Sequence, residues 1–259
     1  MTVEPAPLNV VEFGPSDALP VLALHGVTGH ARRWAVVAGS LPGVRLLAVD
    51  LRGHGRSPWV PPWNLERHVA DALAVLDRFG LDRVPVIGHS FGGAIAVHLA
   101  RAAPERVERL VLLDPALGLD PQDMLETAEE SRAELSFPDL AAARADRAGR
   151  WEGVDAALVE AELTEHLVAD GDRFRYRYSP ASVVAAWSEM ARPAAIPPAG
   201  TRTLVVPATK ADFVRPGWLA ACRDEMGDAL TVIEVDAGHM LYLERPAETT
   251  AHIAAFLAG

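Results

Sequence analysis

The sequence predicts an α/β fold, with a mostly parallel central sheet, helices on both faces of the sheet and a helical insertion. Short apolar runs of strand length recur along the chain, stretches with helical spacing separate them, and one long segment lacks such runs. The apolar runs lie at residues 21–24, 44–49, 84–87, 109–113, 203–206 and 230–235. Residues 5–13 are expected to add a leading antiparallel hairpin.

The stretches between the runs carry helix signals. Asn64 can cap a helix whose apolar residues recur every three or four positions, and Gly80 can end it. Residues 91–103 are apolar nearly all round, which predicts a buried helix. Residues 247–257 follow Pro246, a suitable first residue for a closing helix.

The segment from residue 116 to residue 198 shows no buried-strand pattern. It contains alanine-rich and acidic helical stretches at residues 124–134 and 155–168. We therefore expect a first part of the core over residues 1–115, a helical insertion over 116–198 and a second part of the core over 199–259.

Composition restricts the class of protein. The chain has 259 residues, half of them apolar, which suits one α/β domain with an insertion. Its 24 basic and 35 acidic residues leave a charge of −11, which repels nucleic acids and anionic membranes, so neither is an expected partner. Cys222 has no second cysteine to pair with, and the sequence shows neither a signal peptide nor a membrane span. We therefore expect a cytoplasmic protein, and the oligomeric state is left open.

Ser90 lies in the most informative motif, Gly88-His89-Ser90-Phe91-Gly92. The motif fits G-x-S-x-G and joins a predicted strand to a predicted buried helix. A sharp turn at this point needs small neighbours and presents the hydroxyl at a helix N-terminus, whose dipole favours developing negative charge. Ser90 is therefore the candidate nucleophile.

A glycine-containing turn, His25-Gly26-Val27-Thr28-Gly29, follows the first apolar run. Acyl transfer creates an oxyanion that needs hydrogen-bond donors already in place. The backbone N–H groups of Val27 and of Phe91 are the candidate donors. We expect His25 to brace this loop rather than to transfer protons.

Two loops near the end of the chain contain a candidate catalytic base and a candidate acid. His239 follows the last predicted strand, and Asp212 lies six residues past Val206, so both can reach the carboxyl edge of the sheet. Asp114, directly after an apolar run, is the rival acid. We expect Asp212 to orient His239.

These motifs resemble the α/β-hydrolase superfamily, in particular its lidded esterase-like branch. The resemblance also rests on Asp50-Leu51-Arg52-Gly53-His54-Gly55-Arg56-Ser57 and on Glu244-Arg245-Pro246 after His239. It implies the α/β-hydrolase fold, a triad in the order Ser90, Asp212 and His239, an oxyanion hole at Val27 and Phe91, and a lid over residues 116–198. It implies a structural role for residues 50–57.

The resemblance implies a serine hydrolase that cleaves a small or medium ester, thioester or lactone through an acyl-enzyme, with no cofactor and no metal. Carbon–carbon bond hydrolysis, cofactor-free perhydrolase or haloperoxidase activity, and a non-catalytic binding protein remain open alternatives. An arginine in the pocket would favour carbon–carbon hydrolysis, for which Arg175 and Arg192 join Arg173 as candidates. The candidate substrate-binding residues are Trp34, Tyr176, Trp187 and Arg173.

Overall fold

The fold is built on a seven-stranded sheet. A computed structural model describes residues 4–133 and 135–259. The strands within these residues are β1 (Val10–Phe13), β2 (Leu19–Leu24), β3 (Val44–Val49), β4 (Val84–His89), β5 (Val107–Leu113), β6 (Ser136–Phe137), β7 (Leu167–Asp170), β8 (Arg173–Tyr176), β9 (Arg202–Val206) and β10 (Leu230–Val232). The main sheet has the order β1-β3-β2-β4-β5-β9-β10, and its strands are parallel except for β1. The predicted α/β class is confirmed.

The prediction of a leading antiparallel hairpin is wrong. Residues 4–9 precede β1 without a strand, and β1 pairs antiparallel with β3 instead of with its neighbour in sequence. Pro5 and Pro7 lack the N–H group that a strand ladder requires, so this stretch cannot supply a regular first strand of a hairpin.

The helices cover both faces of the sheet. In chain order they are α1 (Ala35–Ala38), α2 (Leu65–Arg78), α3 (Phe91–Ala102), α4 (Pro121–Glu130), α5 (Leu140–Arg150), α6 (Ala156–His166), α7 (Pro180–Met190), α8 (Pro216–Met226), α9 (Leu241–Glu244) and α10 (Pro246–Ala258). Helices α2, α3 and α8 pack in one apolar cluster, and α1 and α10 pack in a second cluster on the other face. Among the described residues, no helix combines the length and the apolar character needed to cross a membrane.

Local sequence signals explain where individual helices begin. The side chain of Asn64 accepts a hydrogen bond from the N–H of Arg67 and so caps α2, as predicted. Asp120, Asp139 and Asp155 cap α4, α5 and α6 in the same way. The predicted helix at residues 155–168 ends at His166, because Leu167 and Val168 belong to β7.

Residues 116–198, called the inserted segment below, leave the sheet after β5 and return at β9. Strands β5 and β9 are neighbours, with Leu110 opposite Thr203, so the inserted segment joins adjacent parallel strands. It carries α4 to α7, but it also contains a small antiparallel sheet in the order β6-β8-β7. The prediction of a purely helical segment is therefore wrong, because these strands are only two to four residues long and one of them alternates arginines with aromatic residues.

Candidate active site

Ser90 occupies the turn between β4 and α3. Its φ of 54° and ψ of −120° lie outside the regions that non-glycine residues usually adopt, so the turn is strained. A Cβ atom built on Gly92 would lie 2.2 Å from the carbonyl oxygen of Leu24, and one on Gly88 would lie 2.4 Å from that of Gly92. These close approaches explain the glycines of the motif: they let α3 pack tightly enough to hold Ser90 in this conformation. Ser90 as a residue is only 3% exposed.

His239 lies in the loop after β10 and is held on several sides. Its Nδ1 lies 2.6 Å from Oδ2 of Asp114, which is buried. Phe213 stacks on the His239 ring at a centroid distance of 3.9 Å, and Nε2 of His89 donates to the His239 carbonyl at 2.8 Å. Since Nδ1 donates to the carboxylate, Nε2 is the nitrogen left to act as a base.

Asp114 is placed by the register of the sheet. Leu113 lies opposite His89, so Asp114, the first residue after β5, lies beside Ser90, the first residue after β4. The N–H of Asp114 donates to the carbonyl of Val206, and its second carboxylate oxygen accepts from the N–H of Ala208 at 3.1 Å. The carboxylate therefore joins the ends of β5 and β9 and presents its other oxygen to His239.

The expectation that Asp212 contacts His239 is wrong. The Asp212 side chain is 93% exposed and pairs with Arg215 at 3.3 Å. Residues 208–211 form a turn, and the N–H groups of Thr209 and Lys210 donate to carbonyls of residues 235 and 237. This turn directs Asp212 to solvent and brings Phe213 against the imidazole instead.

The loop after β2 lies against Ser90. A Cβ atom built on Gly26 would be 2.9 Å from the Ser90 Cβ, so only glycine allows this approach. His25 fastens the loop, because Nδ1 donates to the Gly26 carbonyl at 2.7 Å and Nε2 accepts from the N–H of Leu51 at 2.9 Å. Burial, aided by the nearby His54, lowers the pKa of His25 well below its usual value, so the ring is neutral. His25 therefore has a bracing role.

The segment from Asp50 to Ser57 is structural. The Asp50 carboxylate accepts hydrogen bonds from the backbone of Ala31 and Arg56 at 2.7 and 2.8 Å. Arg52 binds Asp71 through two hydrogen bonds of 2.7 Å, with both side chains buried. The contact with Ala31 joins the loop after β3 to the loop after β2, and the pair with Asp71 joins it to α2.

A buried ionic cluster connects the inserted segment with the loop after β2. Glu162 of α6 accepts from Nε and Nη2 of Arg33 at 2.9 and 2.6 Å and lies 2.8 Å from Nε2 of His30. Nη2 of Arg33 also donates to the Thr28 carbonyl at 2.8 Å, and Thr28 has a φ of 60°. Burial by itself would raise the pKa of Glu162, but Arg33 and His30 lower it well below its usual range. Glu162 is therefore ionised and holds Arg33 against the loop.

A cavity of about 240 Å³ lies between the inserted segment and the loop after β2. Tyr176 and Trp187 line it, their binding of substrate stays a prediction, and Thr28 borders the cavity from the core. A second, more open cavity of about 520 Å³ includes His239, and Arg150 borders both cavities. Polar residues that sequence reasoning missed also line the first cavity, namely Ser131, Arg147 and Arg150.

Two candidate binding residues lie elsewhere. Trp34 is fully buried and stacks on Tyr242 at 5.1 Å within the core, so its prediction as a pocket residue is wrong. Arg173 is exposed on β8 and binds the side chain and carbonyl of Ser136 at 2.9 and 3.0 Å, so it is not a cavity residue either. Alternation along β8 explains the second error, because residues 173 and 176 point to opposite faces of a strand.

Comparison with known proteins places this arrangement in a family. Residues 20–246 match the model of the alpha/beta hydrolase fold. Lipase LipV from Mycobacterium tuberculosis is 44% identical over 95% of this chain and 96% of its own length. The mouse sn-1-specific diacylglycerol lipase ABHD11 is 26% identical over 99% of this chain and 87% of its own length. The crystal structure of E-2-(acetamidomethylene)succinate hydrolase superposes with a TM-score of 0.85 at 23% identity, covering 97% of this chain and 95% of that one. The chain belongs to the α/β-hydrolase family and is a hydrolase.

Proposed function

We propose that this chain is a serine hydrolase that cleaves small or medium carboxylic esters, with thioesters and lactones as related substrates. The observation that carries the proposal is the contact of 2.6 Å between His239 and buried Asp114 at the sheet edge where strained Ser90 leaves β4. The lipase that is 44% identical over nearly the whole chain supports an ester as the substrate.

In the first step Ser90 Oγ attacks the ester carbonyl while Nε2 of His239 takes the hydroxyl proton. Asp114 keeps Nδ1 protonated and stabilises the imidazolium that forms. The backbone N–H groups of Val27 and Phe91 stabilise the oxyanion, for which the approach of Gly26 to Ser90 provides the support.

In the second step His239 gives its proton to the leaving alcohol, and the acyl group stays on Ser90. Water then attacks the acyl-enzyme and gives a proton to His239. The bond between the acyl group and Ser90 Oγ breaks, His239 returns the proton to Oγ, and the acyl group leaves as the carboxylic acid. This route needs only groups of the chain and water.

Residues 116–198 act in this proposal as a lid between the core parts 1–115 and 199–259. The cavity of about 240 Å³ supports this role, since the inserted segment supplies most of its lining while Thr28 supplies the core side. Pockets for small ligands usually have about 300–1,000 Å³. The cavity of about 240 Å³ is smaller than this range, so it favours short acyl groups.

Labelling with a fluorophosphonate tests the proposal, because this reagent reacts with activated serines. The wild-type protein should be labelled and should hydrolyse 4-nitrophenyl butyrate, and Ser90→Ala should do neither while keeping its circular dichroism spectrum. Ser188→Ala is a suitable control, because Ser188 is bonded to its own helix α7 through the carbonyl of Val184. Labelling that persists in Ser90→Ala would move the nucleophile to another residue.

The alternatives use the same residues. Carbon–carbon bond hydrolysis and perhydrolysis also proceed through a serine, a histidine and an acid. Arg147 and Arg150 in the cavity lining fit the first of these, whereas the lipase relative favours an ester. A binding protein without catalysis would leave the fluorophosphonate and the butyrate ester untouched.

A further inference from the structure

Arg147 is a buried charged side chain that has no role in the proposed mechanism. It extends from α5 into the lining of the cavity of about 240 Å³, yet the residue is only 5% exposed. A guanidinium group is always charged and carries five N–H donors, so burial is costly unless acceptors surround it.

Within the described part of the chain, the contacts of Arg147 satisfy this need only in part, with the Tyr176 side chain as a hydrogen-bond partner. Its guanidinium carbon lies 4.2 Å from the ring centroid of Tyr176 and 4.9 Å from that of Trp151. These ring faces attract a cation, but they accept no ordinary hydrogen bond. The Nε atom is buried and finds no acceptor in residues 4–133 and 135–259.

The carboxylate closest to Arg147 is already bound elsewhere. Nη2 of Arg147 lies 3.8 Å from Oε1 of Glu162, beyond hydrogen-bonding distance. Both oxygens of Glu162 accept shorter hydrogen bonds from Arg33, at 2.6 and 2.9 Å. Among the residues that the structure describes, one carboxylate thus faces two buried guanidinium groups, and its short hydrogen bonds go to Arg33, so Arg147 has no carboxylate of its own.

The other described charged groups near the cavity do not supply a carboxylate for Arg147. Nε of Arg150 pairs with Asp146 at 2.9 Å, and this arginine is more than half exposed. Glu130 also lines the cavity, but it is exposed, so water screens its charge more strongly than that of buried Arg147.

The cavity borders the loop that carries the proposed oxyanion donor. Thr28 borders it and directly follows Val27, the proposed oxyanion donor. Leu135, Val183 and Trp187 contribute apolar surface to the same lining. An acyl chain could thus pack on apolar side chains while its far end meets Arg147.

We propose that this cavity selects acyl groups that end in a carboxylate, with Arg147 as the main partner of that carboxylate and Arg150 as a second positive charge. The proposal rests on the ester hydrolysis proposed above and specifies its substrate class: half-esters of short dicarboxylic acids. Arginine suits this task because its planar donors match the two oxygens of a carboxylate.

A pair of matched substrates tests the selection. Mono-4-nitrophenyl glutarate carries the carboxylate, and 4-nitrophenyl 4-carbamoylbutyrate replaces it with a neutral amide of the same size. The wild-type protein should favour the glutarate by about tenfold or more in kcat/KM, as expected for a hydrogen bond between charged groups. Arg147→Gln should remove this preference, so that the two substrates have kcat/KM values within about threefold of each other, since the contact that distinguishes them involves the carboxylate.

Arg144→Gln is the matched control. Arg144 lies on the same helix, is about half exposed and pairs with Glu160, so this variant should keep the preference. Arg150→Gln should reduce the preference in part, and it keeps the test decisive if Arg147→Gln does not fold. Equal kcat/KM values for the two substrates in the wild-type protein would overturn the selection while leaving the ester hydrolysis intact.

A binding measurement without turnover separates carboxylate selection by Arg147 from the proposed ester hydrolysis. Glutarate should bind the wild-type protein in a calorimetric titration, glutaramide should bind at least about tenfold more weakly, and Arg147→Gln should lose the difference. This measurement needs no catalysis, so it holds even if neither ester is hydrolysed, a result that would count against the proposed function alone. Glutarate that binds no better than glutaramide would overturn the role of Arg147.

Discussion

Arg33 and Glu162 form a buried two-pronged ion pair, with distances of 2.6 and 2.9 Å, that joins the inserted segment to the core of the protein. Arg33 also holds the carbonyl of Thr28, the residue after the proposed oxyanion donor Val27. The packing of the inserted segment and the shape of the loop beside Ser90 are therefore coupled through one carboxylate.

Glu162→Gln tests this coupling. The variant leaves the buried charge of Arg33 without its partner, which typically costs about 3–5 kcal/mol of folding free energy. Urea unfolding should show this loss, and kcat for 4-nitrophenyl butyrate should fall as the Thr28 loop loses support. Glu160→Gln is the control, because Glu160 lies on the same helix but its pair with Arg144 is exposed. Equal effects of the two variants would argue against a special role of the buried pair.

The acid of the proposed triad can be tested by comparing two aspartates. Asp114→Asn should lower kcat by about 10³-fold or more, because an amide in this place favours the wrong tautomer of His239. Asp212→Asn should stay within about twofold of the wild-type protein, since its side chain is 93% exposed and lies against Arg215. Steady-state kinetics of both variants decides the question, and the opposite ranking would return the acid to Asp212.

Gly92→Ala tests the tight packing that holds Ser90. The added methyl group would lie 2.2 Å from the carbonyl oxygen of Leu24, so either strand or helix must move. We expect a loss of about 1–3 kcal/mol in the free energy of unfolding and of most activity. Gly149→Ala, in helix α5 with no atom within 4 Å of the new methyl group, should instead stabilise the protein by about 0.5–1 kcal/mol. A Gly92→Ala protein with wild-type activity would show that the turn tolerates a looser helix.

The stability of the protein should fall in mild acid because of buried neutral histidines. Burial, together with the neighbouring His54 and Arg52, lowers the pKa of His68 from 6.5 to about 3. As the pH falls below 6.5, His68 therefore binds a proton in the unfolded chain but not in the folded protein, and stability is lost. At pH 5 this residue alone should lower the free energy of unfolding by about 2 kcal/mol.

His68→Leu provides the measurement. The difference in the free energy of unfolding between pH 7.5 and pH 5, obtained from urea titrations, should be smaller in this variant than in the wild-type protein by about that amount. An unchanged pH dependence would mean that His68 is protonated in the folded state.

Local patterns of the sequence were sufficient to predict the parallel strands of the main sheet and several helix ends, but not the pairing of β1 with β3. The apolar run at residues 44–49 coincides with β3, and Asn64 caps α2 as predicted. The motif around Ser90 lies between a strand and a helix, as its glycines indicated. Each of these features depends on residues close together in the chain, so periodicity and capping chemistry suffice to predict it.

The partner of His239 and the lining of the cavity were decided only by tertiary structure. Asp114 and Asp212 both follow apolar strands, and the register of β4 with β5 and the turn after β9 determined which of them meets the imidazole. In the same way Trp34 lies in the core, whereas Arg147 faces the cavity from a helix that shows no motif. Such placements arise from contacts between residues tens to more than a hundred positions apart, and a local pattern carries no record of which distant side chain will fill a given space.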